Sequence, residues 1–428
     1  MSARRPIGFS PEEISTLING EVVSRHAEEA AFLWLRRERT ARAPNCKLRH
    51  LVALDERVEA HVDGLRAAGE VGWAYARQQL ELEGQGEVFV AAVLAFESGC
   101  DDKIALVLEG GAGDPENEHA LASALAWGNR EATAQRLKAL LVNPTLEQRQ
   151  VGLKAARLLR FDPGSHLPTL LSDSDPALRA SAARAAGELG RMDLLQALGP
   201  LLRDEDASCR FAAAWASALL GIRSPMVLAT LRESALTNQP ESLMAAQTLV
   251  ACIEPAEALA WYRTLRESAG HHRLALQVAG AIGDPALVED LMEAMNNVVL
   301  SRIAGESFAR ITGVDLSFSD LDGDAPEAYD ESVFDDPDDP QVELPYDHDL
   351  PWPVRDSVKS WWENHHEDFV AGRSYFLGKP LGAEALHEGL EKGTQPQRTT
   401  ATLLLALLAP GGVMLETKER GQRQLRPS

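Results

Sequence analysis

The sequence predicts an all-α protein, an α-solenoid of stacked helix pairs with a helical N-terminal region and a small helical C-terminal region. Three observations support this prediction: the composition, an internal repeat, and helix-capping residues at fixed places in that repeat. The 428-residue chain is 45% hydrophobic but only 6% aromatic, and Ala and Leu supply most of its apolar residues. Such a composition suits closely packed helices, because Ala has the highest helix propensity and Leu fills the grooves between helices.

The internal repeat is clearest in two segments that lie thirty-one positions apart. Residues 167–190 read LPTLLSDSDPALRASAARAAGELG, and residues 198–221 read LGPLLRDEDASCRFAAAWASALLG. Leu, Asp, Arg, Ala and Gly keep their places in both copies, and a third copy, RLKALLVNPTLEQRQVGLKAARLLR, lies upstream. A single helix pair cannot bury both of its apolar faces, so the copies must stack on one another.

The capping residues explain most of the matched polar positions. In the first copy Asp175 is the expected N-cap of the second helix, and Pro176 occupies its first turn. Gly190 is expected to end that helix. The matched Arg179 and Arg210 are interpreted as structural residues that tie one repeat to the next, and not as catalytic residues.

Composition and periodicity divide the chain into four predicted segments. Residues 1–85 form a helical region without a visible repeat, and residues 86–314 form the repeat solenoid. Residues 315–350 form an acidic, Pro-rich loop that is expected to be mostly without regular structure. Residues 351–428 form a helical C-terminal region with a basic tail.

The net charge of −22 argues against a nucleic-acid partner, because neutralising phosphates requires clustered Lys and Arg. The N-terminus, MSARRPIGFSPEEIS, has no apolar stretch behind its arginines, and no run of about eighteen apolar residues occurs elsewhere. We therefore expect a cytoplasmic protein without a membrane partner. The cysteines lack a CxxC pair and are expected to be reduced core residues: Cys46, Cys100, Cys209 and Cys252.

The acidic segment is the most conspicuous departure from the repeat, since no Lys or Arg occurs between Arg310 and Arg355. It can be a solvated connector, a calcium-binding loop, or a docking surface for a basic protein, whose encounter clustered carboxylates would accelerate. On the third interpretation the candidate partner-binding acids are Asp320, Asp322, Asp324, Asp335, Asp336, Asp338 and Asp339.

The calcium interpretation depends on the stretch DLDGDAPEAYDE. It places Asp320, Asp322, Asp324 and Glu331 at the first, third, fifth and twelfth positions of a calcium loop. The sixth position requires glycine for its sharp turn, but Ala325 stands there. The sequence therefore predicts no metal site, and no cofactor.

Three tryptophans in the C-terminal region, Trp352, Trp361 and Trp362, are further candidate partner-binding residues. Exposed tryptophans are typical of interface hot spots, whereas buried ones would anchor the C-terminal helices to the last repeat. The neighbouring His365 and His366 are adjacent in a predicted helix, which is a poor geometry for chelating a metal. No phosphate-binding loop or nucleophile motif occurs, so no catalytic residue is predicted.

Two resemblances follow from these motifs. The repeat ends AAGELG and AGAIGDPALVEDL resemble HEAT-like repeats of the phycobilin-lyase type. The stretches HAEEAAFLWLRRE, HLVALDERVEAHVDGL, AGESFARITGVDL and PQRTTATLLLALLAPGG, together with the acidic loop that leads into LPWP, resemble an uncharacterised family of bacterial HEAT-like repeat proteins associated with type VI secretion clusters.

The second resemblance implies a cytoplasmic protein that handles a secreted toxin. One hypothesis is an immunity protein that covers the basic active face of an antibacterial toxin, such as a nuclease, with its acidic loop and the concave face of the solenoid. The alternative is an adaptor that loads the toxin for secretion. An enzymatic function, as a HEAT-like lyase or DNA glycosylase, would require a defined catalytic cleft and, for the glycosylase, a basic groove that the repeat helices do not supply.

Overall fold

The computed structural model describes residues 18–82, 84–111, 113–143, 145–237, 239–327, 329 and 346–425. Over these residues the fold is all-α apart from four strands of two residues each, which confirms the predicted fold class. Contacts group the chain into two units. The first contains the described residues of Met1–Ala41, Arg49–His166 and Lys418–Ser428, and the second contains those of Arg42–Leu48 and Leu167–Thr417.

Helices of the first unit enclose one aromatic core. They are α1 (Gly20–Thr40), α2 (Leu48–Ala67), α3 (Glu70–Gln79), α4 (Gln85–Ser98), α5 (Asp101–Gly110), α6 (Pro115–Trp127), α7 (Arg130–Leu141) and α8 (Leu146–Leu158), with a 3-10 turn at Leu80–Leu82. Trp34 of α1 is fully buried and stacks on Phe89 of α4 at 4.7 Å between ring centres. Trp127 meets Phe89 edge-on at 5.2 Å. Contacts thus group residues 86–166 with the N-terminal helices, and the division into four segments stays a prediction.

The basic C-terminal tail is built into this first unit. Its short helix α22 (Gly421–Gln424) begins where the Gly421 N–H donates to the fully buried carboxylate of Asp55, at 2.6 Å. The same carboxylate accepts from Arg37, which also donates to the Lys418 carbonyl. Arg423 donates to the last carbonyls of α6 and the one that follows, where a cation is favourable.

The second unit contains the clearest repeats. Its helices are α9 (His166–Leu170), α10 (Pro176–Glu188), α11 (Leu195–Leu201), α12 (Ala207–Leu219), α13 (Pro225–Ala235), α14 (Ser242–Cys252), α15 (Pro255–Glu267), α16 (His272–Ile282), α17 (Val288–Ala294), α18 (Ser301–Thr312), α19 (Arg355–His365), α20 (Ala383–Lys392) and α21 (Gln395–Leu408), with 3-10 turns at Met192–Leu194, Pro285–Leu287 and His366–Asp368. The second helices of successive pairs, α10, α12, α14, α16 and α18, contact one another in order, and we call them the inner row.

The repeated Asp-x-Asp turns have the capping role that the sequence predicts. Asp175 accepts from the Leu178 N–H at 2.8 Å, and Asp206 accepts from the Cys209 N–H at 2.9 Å, so each satisfies a free donor at a helix start. At the other end of α10, Gly190 has a φ of 67°, the left-handed conformation that glycine adopts without strain.

Arg179 connects two repeats, as predicted. Its guanidinium donates to both carboxylate oxygens of Asp204 in the next repeat, at 2.9 and 3.0 Å, and to the carbonyls of Asp173 and Ser174 in its own turn. Arg210 repeats the second half of this arrangement with the carbonyls of Asp204 and Glu205. Both arginines therefore have structural roles.

Small side chains let the inner row pack closely. A Cβ atom on Gly187 of α10 would lie 2.7 Å from the Cα of Ala216 in α12, closer than real contacts allow. The alanines of these two helices are almost all buried. The Ala-rich second helix of the repeat is therefore explained by the approach of neighbouring backbones.

The C-terminal region of the second unit packs against helices of the inner row. Strand β1 (Asp322–Gly323) pairs with β2 (Trp352–Pro353), and β3 (Tyr375–Phe376) pairs with β4 (Lys379–Pro380), both antiparallel. Helix α21 begins with a capping box between Thr394 and Gln397, and it packs against α14 and α12. The inner row is thus partly covered by the chain itself.

Candidate functional site

The ends of the acidic segment form an ordered structure that we call the acidic stem, residues 315–327 and 346–354. Its base is the pairing of β1 with β2, in which Asp322 faces Pro353 and Gly323 faces Trp352. The Val354 N–H also donates to the Leu321 carbonyl at 2.8 Å. The two parts of the stem are therefore joined by this pairing, and β2 contacts helix α18 of the last repeat.

The first limb of the stem, residues 315–327, is anchored by two buried leucines. Leu316 and Leu321 join the core of the second unit, and the Leu321 N–H donates to the Leu316 carbonyl at 2.8 Å. Between them Asp320 is exposed and has a φ of 54°, a conformation that Asp tolerates better than most residues. Asp322 is half-buried and accepts from the Ser317 hydroxyl at 2.5 Å, whereas Asp324 is exposed.

Arg302 of α18 binds the second limb of the stem, residues 346–354, and Tyr329, which lies two residues beyond the first limb. Its guanidinium carbon lies 4.4 Å from the centre of the Trp352 ring and 5.0 Å from that of Tyr329, and the side chain is almost fully buried. One terminal nitrogen donates to the His348 carbonyl at 2.8 Å. Trp352 is therefore half-buried within the stem, with one face against a cation.

The second limb of the stem, residues 346–354, lies along α16 and α18. The buried carboxylate of Asp347 pairs with Arg273 at 2.8 Å and lies 3.7 Å from Arg302. The Tyr346 hydroxyl donates to Glu306 at 2.6 Å, and Asn45 donates to the Asp349 carbonyl at 3.2 Å. Residues from α16, from α18 and from the segment before α2 thus fix this limb in place.

Trp361 and Trp362 pack against the last repeat. Both rings meet Phe308 of α18 edge-on, with centres 5.7 and 6.3 Å away. Trp362 is 9% exposed and also contacts Phe369 at 5.4 Å, and Trp361 is half-buried and stacks on His365 at 4.1 Å. This geometry accounts for both tryptophans as anchors of α19, and a role in partner binding remains a prediction.

The stem presents carboxylates to solvent. Exposed acids occur on both limbs: Asp315, Asp320, Asp324, Glu327 and Asp349. Lys47 lies beside the first of these, with its ammonium 3.9 Å from Asp315, a long and exposed pair that contributes little. The other predicted acids, Asp335, Asp336, Asp338 and Asp339, lie outside the described residues.

A metal role finds no support in the part of the chain that the structure describes, where no three His, Cys, Asp or Glu side chains converge on a point. The final calcium-loop position, Glu331, lies outside that part. Nδ1–H of His365 donates to the Trp361 carbonyl at 2.7 Å, and that of His366 donates to the Glu363 carbonyl at 3.0 Å. Each histidine is thus engaged with its own helix.

Sequence reasoning missed Arg302, Arg273, Tyr329 and Asp347 as the residues that shape the stem. Arg302 stands in the stretch SRIAGESFAR, where its spacing is that of any amphipathic helix. One signal was available: Arg302 and Arg310 are the last two basic residues before the acidic segment. Their placement at its border could have suggested a fastening role.

Comparison with known proteins identifies the repeats. Residues 165–251, which span the helices from α9 to α14, match the family model of HEAT repeats. No curated protein and no solved structure matches the chain. None of the described helices is both long and apolar enough to cross a bilayer. The matched segment is thus identified as HEAT repeats, a helical scaffold of the kind that mediates protein interactions.

Proposed function

We propose that this protein is a non-enzymatic scaffold that binds a basic protein through the acidic stem. The observation that carries the proposal is the fixed position of the exposed carboxylates, which the β1–β2 pairing and the Arg302 contacts hold on the last repeat. Carboxylates that are already placed lose little conformational freedom when a partner binds. They also attract a positively charged partner before contact.

The more specific proposal is a cytoplasmic immunity protein that neutralises a type VI secretion toxin. It is supported by the net charge of −22 and by our interpretation that the sequence resembles proteins associated with such clusters. A toxin that cleaves nucleic acid needs a basic active face to hold phosphates. On this proposal the stem covers that face, no cofactor is needed, and neither nucleic acid nor membrane is a partner.

The alternative is an adaptor that loads the toxin for secretion. The same surface would then bind the toxin away from its active face, so that binding would leave the toxin active. Inhibition of the toxin therefore separates the two proposals.

A charge-matched pair of variants tests the stem. The first is Asp320→Asn, Asp324→Asn, Glu327→Gln. The second removes the same charge from exposed carboxylates elsewhere in the second unit, at Glu233, Glu267 and Glu391, each changed to Gln. Each exposed carboxylate contributes up to about 1 kcal/mol, so we expect the first variant to bind the product of the neighbouring toxin gene about tenfold more weakly.

The control variant should bind like the wild type, and the difference between the two should shrink in high salt. Equal binding by both variants would reject the stem as the binding surface. Wild-type protein that binds the toxin without lowering its activity would support the adaptor instead. Cells that die equally with and without this protein would exclude the immunity function.

A further inference from the structure

A narrow polar crevice lies between the inner row and α21, beside the second limb of the stem. It has a cavity volume of about 40 Å³, enough for a group the size of a carboxylate. Its walls carry one glutamine from each of α14, α16 and α21, namely Gln247, Gln277 and Gln397. Glu306 and Arg310, one turn apart on α18, complete it.

The Arg310 guanidinium supplies the positive charge of the crevice. Among the residues that the structure describes, none accepts a hydrogen bond from its buried Nε, and its side chain forms no ion pair there. The guanidinium lies near Phe376, with 5.9 Å from its carbon to the ring centre. Burial lowers the pKa of Arg310 to about 10, so the group remains charged at neutral pH.

Three glutamine amides add further donors to the crevice. Within the described residues, the side-chain amides of Gln247 and Gln277 make no hydrogen bond, although both are half-buried. Gln397 accepts from the Thr394 N–H with its oxygen, which leaves its amide N–H groups available. These amides remain accessible to water, which an occupant with acceptor oxygens could replace.

Glu306 is the acceptor of the crevice. One of its oxygens accepts from the Tyr346 hydroxyl, and the other is available to an N–H donor. Burial raises the pKa of Glu306, while the Tyr346 hydroxyl and the nearby arginines oppose that rise. The crevice therefore offers a cation, amide donors and one carboxylate acceptor.

A larger groove opens from the crevice, with Glu306 and Gln397 on the border of both. Its cavity volume of about 370 Å³ is in the range of small-ligand sites. Its lining includes a set of apolar side chains: Ala309, Leu316, Leu350, Phe376 and Leu377. The groove also carries Lys379 and Lys392, which both pair with Glu388.

We propose that the crevice and groove bind the C-terminus of a peptide that ends in an apolar residue. Arg310 and the glutamine amides donate to the terminal carboxylate, Glu306 accepts from a backbone N–H, and the apolar groove holds the last side chain. A phosphate dianion fits less well because the Glu306 carboxylate would repel two charges. The site shares Tyr346, Leu316 and Leu350 with the stem, but this inference does not depend on the proposed function.

Matched peptides test the chemistry of the ligand. The probe is a fluorescein-labelled Gly-Gly-Ala-Leu peptide with a free C-terminus, measured by fluorescence anisotropy against the same peptide with a C-terminal amide. We expect the amidated peptide to bind at least about tenfold more weakly, because it loses the charge-assisted hydrogen bonds to Arg310. Equal binding of the two peptides would overturn the proposal.

Two small anions, used as competitors of the labelled peptide, test whether the site binds another kind of negatively charged ligand. N-acetyl-leucine carries the carboxylate and the apolar side chain but little backbone, and inorganic phosphate carries only charge. Competition by N-acetyl-leucine as strong as that of the unlabelled tetrapeptide would assign the site to a free organic acid instead of a peptide. Competition by phosphate at equal concentration would reject carboxylate recognition.

Variants locate the site. Arg310→Met keeps an apolar contact with Phe376 and should weaken binding of the free-acid peptide at least about tenfold, while Arg263→Met, which changes an exposed arginine on α15, should leave it unchanged. If Arg310→Met fails to fold, Gln277→Ala tests the same crevice and should weaken binding about threefold. Wild-type affinity in both crevice variants would place the peptide elsewhere.

Discussion

The ion pair between Arg179 and Asp204 allows a direct measurement of how strongly one repeat holds the next. The perturbation is a double-mutant cycle of Arg179→Met and Asp204→Asn, in which each change removes the charge and keeps most of the volume. The amide oxygen introduced by Asp204→Asn can still accept from the Asp206 N–H, as the carboxylate does at 2.9 Å. The cycle therefore isolates the contact between the two repeats.

The structure sets the expected magnitude. The two side chains are 19% and 11% exposed and are joined by two parallel hydrogen bonds. Hydrogen bonds to charged groups contribute about 1.5–3 kcal/mol, but Arg179 keeps its two bonds to the carbonyls of Asp173 and Ser174 when Asp204 changes. We therefore expect a coupling free energy of about 1–2 kcal/mol and a Tm lowered by about 3–6 °C in either single variant.

The assay is urea unfolding followed by circular dichroism, with a second cycle as control. Arg232 and Glu257 also join neighbouring repeats, but through one hydrogen bond and with 42% and 50% of their side chains exposed. Their coupling should not exceed about 0.5 kcal/mol. Equal coupling free energies in the two cycles would refute the argument that burial and bidentate geometry strengthen the Arg179–Asp204 contact between repeats.

The pH dependence of the Arg179 cycle gives an internal check. The hydrogen bonds from Arg179 lower the pKa of Asp204 below its ordinary value of 3.8. The stabilisation is thus complete above that value and is lost as pH falls through the lower pKa of the folded state. Coupling at pH 7 should exceed coupling at pH 3, and a constant value would contradict the assignment.

Three further predictions concern packing, a buried carboxyl and a thiol. Gly187→Leu should lower the unfolding free energy by more than about 2 kcal/mol, because its side chain would meet Ala216, and unchanged urea unfolding would contradict this. Burial raises the pKa of Glu306, so the folded protein binds the Glu306 proton more tightly than the unfolded chain does. The folded state therefore loses stability as the pH rises above the ordinary pKa of 4.5. The Tm of Glu306→Gln minus that of the wild type should accordingly be larger at pH 8 than at pH 4. Burial raises the pKa of Cys209 to about 12, so Ellman's reagent at pH 8 should modify the exposed Cys100 rapidly and Cys209 only after unfolding.

The repeat could be predicted from sequence because every copy must meet the same two physical requirements, helix capping and close packing. Each copy needs an N-cap, and Asp175 and Asp206 supply it. Each copy must let its neighbour approach, which requires the small residues around Gly187. Capping and close packing are local requirements that leave the same residue types at the same spacing, so they can be read without a structure.

The acidic stem could not be predicted in the same way, because its contacts join residues that have no fixed spacing. Arg302 meets His348 across forty-six positions, and Asp347 meets Arg273 across seventy-four. Nothing in the sequence near Arg302 differs from an ordinary amphipathic helix. The sequence indicated that the segment is acidic, but only the fold shows that its ends are fastened by a guanidinium against Trp352 and Tyr329.

The C-terminal segment determines which part of the inner row remains for a partner. Helix α21 packs on α12 and α14, and the residues after it continue to the end of α10, where the Met414 N–H donates to the Glu188 carbonyl. The Gly411 carbonyl occupies the place where a Cβ on Gly190 would stand, so only glycine permits this approach. The repeats from α10 to α14 thus already use this surface to hold the chain's own C-terminal segment. Helices α16 and α18 carry the second limb of the stem, residues 346–354, and half of the polar crevice, whose other walls come from α14 and α21, so both proposed binding surfaces include the last two repeats.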